Sequence, residues 1–117
     1  MKNKLIEILK ERGDISFTLI PELIPEARGE LAMFATPNPG FNENVILLRG
    51  INKHFITIFN MLYAEKIVSL ESCSVMIIMW DGAPVYGDKI CTKRMLKGKS
   101  QCWMPMLLKK GENFPKL

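Results

Sequence analysis

Apolar and polar positions change period several times along the chain, and each change marks a predicted element. Leu5, Ile8 and Leu9 fall at i, i+3 and i+4 with Ile6 beside them, so residues 2–12 read as an amphipathic helix stopped by Gly13. "ISFTLI" (15–20) has β character. In "PELIPEARGE" (21–30), Pro21 can open a helix, but Pro25 lacks the N–H that would bond back to residue 21. A helix there is short or starts only near Pro25, and Gly29 ends it. "ELAMFATP" (30–37) and "NVILLRG" (44–50) read as strands, with a short helix as competitor for the second. A hairpin of 31–36 with 45–49 would enclose the Pro/Gly loop 37–44, although the pattern leaves open whether 31–45 is a hairpin or helical. Residues 51–66 carry the central helix, with Asn52 as its N-cap. "KIVSLESC" (66–73) and "SVMIIMW" (74–80) read as strands, Asp81-Gly82 as a tight turn and 83–87 as a returning arm. Residues 89–101 form a basic, Gly-containing excursion. "CWMPMLLKKG" (102–111) is a last strand that Pro105 places at an edge or on its non-bonding side.

This order predicts one α+β domain over 1–111 with a flexible tail, 112–117. Helices near 2–12 and 52–65 would pack on a small antiparallel sheet of 67–72, 75–80 and 102–108. The expected core is Leu5, Ile8, Leu9, Ile46, Leu47, Phe55, Ile56, Phe59, Leu62, Ile67, Val75, Ile77 and Leu107. A chain of 117 residues, 48% hydrophobic, can bury such a core without staples.

The net charge of +4 is unevenly distributed. Residues 1–88 hold 8 Lys/Arg against 11 Asp/Glu, a net of −3; residues 89–117 hold 8 against 1, a net of +7. Such a basic end attracts phosphate, or serves as a solvated tail. Cys73, Cys91 and Cys102 are odd in number and widely spaced, which predicts reduced thiols and no zinc site. The opening "MKNKLIEILKERGD" lacks an unbroken apolar run, and no run is long enough to span a bilayer. The expectation is a cytoplasmic protein without a membrane partner.

Residues 50–68, "GINKHFITIFNMLYAEKIV", carry a family pattern. Gly50, Ile51 and Asn52 match a turn, Ile56, Phe59 and Leu62 match apolar anchors, and "LYAEKIV" matches the exit into a strand. "DGAPVYG" (81–87) looks like a wing. In these residues the chain resembles winged helix-turn-helix domains; Lys66 stands where that family usually has Gly. The resemblance implies a winged-helix-like fold, double-stranded DNA as partner and a small transcriptional regulator as role. Lys53, Thr57, Asn60 and Ala64 recur at i, i+4, i+7 and i+11, so one stripe would face the groove, while Lys93, Arg94, Lys97 and Lys99 would contact phosphate. The layout of "NVILLRGINK", a helix, an apolar strand, "DGAPVY" and "CWMPMLL" also resembles small uncharacterised proteins of bacteria and their phages, and that likeness implies no activity.

No residues form a catalytic pattern. His54 reads as a first-turn surface residue, and Glu22, Glu26 and Glu30 as a solvated face. Trp80 and Trp103 read as large core residues, although "KRMLKGKSQCW" also suits a nucleic-acid backbone with Trp103 for a base. Neither a cofactor nor a metal is expected. The alternative to DNA binding is a dimerisation or protein-interaction module, in which Ile58, Met61 and "VMIIMW" offer a Met-rich apolar surface.

Overall fold

A computed structural model describes residues 1–34, 45–91 and 101–115 as a mixed α+β arrangement. Its elements are α1 (Lys2–Arg12), β1 (Ile15–Ser16), α2 (Ile20–Leu23), β2 (Arg28–Phe34), β3 (Val45–Ile51), α3 (Lys53–Ala64), β4 (Val68–Ser72), α4 (Val75–Trp80), β5 (Cys102–Trp103) and β6 (Met106–Lys110). Short 3-10 turns at Phe17–Leu19 and Pro25–Ala27 flank α2. One sheet has the order β1-β6-β4, all antiparallel; the other has the order β2-β3-β5, with β5 parallel to β3.

The β2–β3 hairpin pairs Ala32 with Arg49 and Met33 with Leu48, so the expected pairing of 31–36 with 45–49 holds over the described residues. Gly29 ends no helix. It lies inside β2, where a Cβ would sit 2.6 Å from the Ile51 carbonyl oxygen, a separation only glycine permits. The hairpin is joined to α3 through Asn52. Its Oδ1 accepts from the Phe55 N–H at 2.8 Å, and its Nδ2 donates to the carbonyls of Glu26 at 2.7 Å and Arg28 at 3.1 Å. One side chain therefore caps the helix and fixes where the preceding turn begins.

The main core lies between α1, α3 and the sheets. Leu5 and Leu9 of α1, Phe55, Phe59 and Leu62 of α3, and Val45 to Leu48 of β3 are all buried. Phe59 packs against Phe17 with ring centroids 5.0 Å apart. Ile8, Ile56, Ile67, Val75, Ile77 and Leu107, expected in the core, are only half-buried. Their places are taken by Ile15, Phe17, Ile20 and Ile24. Prolines 21 and 25 break this stretch into turns tight enough to turn most of their apolar residues inward. Only Ile15–Ser16 of the expected strand "ISFTLI" is extended.

The last strand also differs from expectation. It divides at Met104-Pro105: β5 joins β3, while β6 becomes the central strand of the other sheet. Pro105 lacks an N–H, falls between the two strands and lends its carbonyl to the Cys73 N–H at 3.0 Å. Residues 112–115 are not frayed. Asn113 donates from its backbone to the Lys66 carbonyl at 2.8 Å and from its side chain to Glu65 at 3.1 Å, and Phe114 packs against the core.

The largest correction falls on residues 75–80, expected to be a sheet strand and found as α4. Gly82 (φ +69°) supplies the reason. The Ala83 N–H bonds to the Ile78 carbonyl at 3.1 Å and the Gly82 N–H to the Met79 carbonyl at 3.0 Å, the paired bonds of a left-handed helix cap. Asp-Gly therefore ends a helix here instead of turning a hairpin. The segment 83–87 forms no strand, and the expected three-stranded sheet containing 75–80 is replaced by β1-β6-β4.

Candidate functional site

Helix α3 places the stripe singled out in the sequence. Phe55, Phe59 and Leu62 point inward, and Lys53, His54, Thr57, Asn60 and Ala64 are exposed. The first turn bonds to Asn52, so Lys53 and His54 are left to solvent. The Thr57 hydroxyl donates to the Lys53 carbonyl at 3.1 Å, which leaves its oxygen as an acceptor on the outer face. The edge is thus open and polar, with one cation, Lys53. Lys93, Arg94, Lys97 and Lys99 lie outside the described residues.

The base of that basic segment is described. Cys91 and Cys102 form a disulfide, which corrects the expectation of reduced thiols, while Cys73 carries a free thiol. Bonds from the Cys91 N–H to the Trp103 carbonyl and from the Trp103 N–H to the Lys89 carbonyl hold the two segments side by side. That pairing brings together two cysteines eleven residues apart, which separation alone does not reveal. Burial pushes the Cys73 thiol above its ordinary value, with Asp81 and Glu71 adding to the shift. It is therefore a poor nucleophile.

Helix α4 presents a surface of the opposite kind. It touches the interior chiefly through Ile78, which packs in a small second core with Leu19, Ala83 and Trp103. Trp103 is fully buried, as expected, and lies against Tyr86 with ring centroids 4.9 Å apart. Trp80 contradicts its expected core role: it is 79% exposed. Met76 and Met79 are 57% and 61% exposed. Positions 76, 79 and 80 share one helical face by their i, i+3 and i+4 spacing, and that face turns away from Ile78. No residue of α4 is charged.

Two anchors fix this helix. The Ser16 hydroxyl, itself buried, donates to the Asp81 carboxylate just after α4. Further on, Arg49 forms a two-bond pair with Asp88 at 3.1 and 2.8 Å, and the Tyr86 hydroxyl accepts from the Arg49 backbone N–H at 2.9 Å. The segment 81–88 is thereby held against β3, and α4 is positioned by contacts that leave its apolar face open. One local signal could have found it: an unbroken apolar run ended by Asp-Gly suits a helix cap as well as a hairpin turn.

Among the described residues no helix is long and apolar enough to cross a membrane, and no group of His, Cys, Asp or Glu is arranged to hold a metal ion. In comparisons with known proteins no family model matches the chain, and no curated protein or solved structure matches it either.

Proposed function

We propose that this chain is a non-catalytic protein-interaction module that offers the outer face of α4 to a partner chain. The observation that carries the reading is the exposure of Met76, Met79 and Trp80 together on one helical face. Single exposed apolar residues are normal on a protein surface, but a contiguous Trp/Met face on an otherwise anchored helix is not. Trp is the residue type most enriched at binding hot spots, and Met adapts its shape to what it meets. Met61 of α3 is also exposed, as this reading anticipates; Ile58 is half-buried and contributes less.

A second reading, DNA binding by a small regulator, is favoured by the open Lys53-Thr57-Asn60 edge of α3. In it, α3 and β4 act as the recognition helix and first wing strand of a winged-helix-like unit, and Lys93, Arg94, Lys97 and Lys99 supply phosphate contacts. It ranks second because polar residues on the outer side of a helix are the default for any surface helix. A cytoplasmic location belongs to the same reading; the Cys91–Cys102 disulfide points instead to an oxidising compartment or to redox cycling.

One experiment separates the two. A photoreactive amino acid is placed at Met79 in one variant and at Asn60 in another, and cells producing the full chain are irradiated. The interaction reading expects a discrete protein adduct from position 79 and none from position 60. Nucleic-acid adducts from position 60 alone would replace it with the DNA reading.

A further inference from the structure

We infer that the Cys91–Cys102 disulfide is a redox-sensitive latch under α4. Closed, it holds residues 89–91 on β5 and steadies the Trp103 seat of α4; opened by a dithiol, it loosens both while the main core stays folded. Its meaning for a partner rests on the interaction reading, but the latch itself does not.

The first argument is access. Cys102 is fully buried on β5, whereas Cys91 is only half-buried. A reducing thiolate therefore meets the bridge from the Cys91 side. It bonds to the Cys91 sulfur, the S–S bond breaks, and the electron pair leaves on the Cys102 sulfur, which takes up a proton. The second thiol of the dithiol then displaces Cys91. The dithiol ends as a cyclic disulfide and both cysteines as thiols, with two electrons passed between them.

The second argument is how little of the fold the bridge supports. It joins cysteines eleven residues apart, and opening a loop of that length shifts the folding equilibrium by roughly a hundredfold. Domains of this size commonly favour the folded state by a thousandfold or considerably more. The main core draws on α1, α3 and both sheets, so the reduced chain keeps it. The third argument is position. Among the described residues, two backbone bonds join 89–91 to β5: the Cys91 N–H to the Trp103 carbonyl at 2.9 Å and the Trp103 N–H to the Lys89 carbonyl at 2.8 Å. Lys89 and Ile90 are exposed, so this single rung opens readily once the covalent link is gone. Both bonds fall on Trp103, which packs with Ile78, the one buried residue of α4.

Amide hydrogen exchange of the full chain, oxidised and after dithiothreitol without denaturant, tests this. A mass gain of two hydrogens marks the opened bridge. The amides of Cys91, Trp103 and Ala83, the last bonded to the Ile78 carbonyl at the end of α4, should quicken on reduction at least tenfold more than the Phe59 amide within α3. Cys91→Ser should show the reduced pattern without any reagent. Equal changes at all four amides would make the bridge a general staple and overturn the latch. So would a bridge that resists reduction until the chain unfolds, a Cys91→Ser variant with the oxidised pattern, or an Ala83 amide that stays in step with Phe59. None of these readouts needs a partner. Absence of an adduct from position 79 therefore rejects the interaction reading and leaves the latch standing.

Discussion

Replacing Lys66 by glycine should make the protein more stable. Lys66 is the one non-glycine residue with positive φ among the described residues, at +60°, and it occupies the position after the cap of α3. The Ile67 N–H bonds to the Leu62 carbonyl at 2.9 Å and the Lys66 N–H to the Tyr63 carbonyl at 3.1 Å, the same paired cap that Gly82 completes on α4. A side chain in the left-handed region costs roughly 1–2 kcal/mol, and glycine's greater freedom in the unfolded chain returns about 0.5–1 kcal/mol of that. The ion pair lost with the side chain, Lys66 to Glu112 at 3.8 Å, is exposed at both ends and contributes little. The Lys66 carbonyl still accepts from Asn113, because that bond needs only the backbone. Lys66→Gly should therefore gain just under 1 kcal/mol, raising Tm by about 4 °C in a domain this size. Thermal unfolding followed by circular dichroism measures it, with Lys66→Ala as the control that removes the ion pair but keeps the strain. A glycine variant no more stable than the alanine variant would refute the reasoning.

Three further outcomes follow from single residues. Asn52→Ala should cost more than an ordinary cap, about 2 kcal/mol, because the acceptor to Phe55 and the donors to Glu26 and Arg28 are lost together; Asn52→Asp keeps the cap acceptor and should recover part of that in urea unfolding. Without reductant, one thiol, Cys73, should react with iodoacetamide, slowly at pH 8 because burial holds it protonated, and all three should react after reduction and unfolding; prompt labelling of Cys91 would contradict the pairing. Burial raises the Tyr86 phenol above its ordinary value of about 10 despite the opposing bond from Arg49, so its contribution to stability is complete below pH 10 and falls as pH rises beyond it; Tyr86→Phe should remove that fall in alkaline urea titrations.

What the sequence revealed divides along physical lines. Local signals were readable: the 3.6-residue period of α1 and α3, the Asn52 cap and the outward polar stripe each depend on neighbours within a few residues. The β2–β3 pairing was legible because a Pro/Gly loop separates two β-rich runs. The left-handed backbone at Lys66 was not legible, because a lysine gives no local signal for positive φ. Residues 75–80 were not, because a six-residue apolar run fits a strand or a helix equally and the Asp-Gly after it serves both. The burial of Trp103 beside the exposure of Trp80 depends on which sheet β5 joins, a long-range pairing invisible to local pattern. The same pairing brings Cys91 to Cys102. The interaction face was partly legible, since the Met-rich run was noted, but its exposure follows from α4 being a helix whose one buried residue is Ile78.

An interaction face on α4 requires Trp80 to stand open to solvent while Trp103 is enclosed. Fluorine NMR of the chain labelled with 5-fluorotryptophan reads both rings, with Trp80→Phe assigning the signals. The Trp80 resonance should show the H2O/D2O solvent shift and the Trp103 resonance should not. Two solvent-shielded resonances would place Trp80 in the interior and contradict the interaction face.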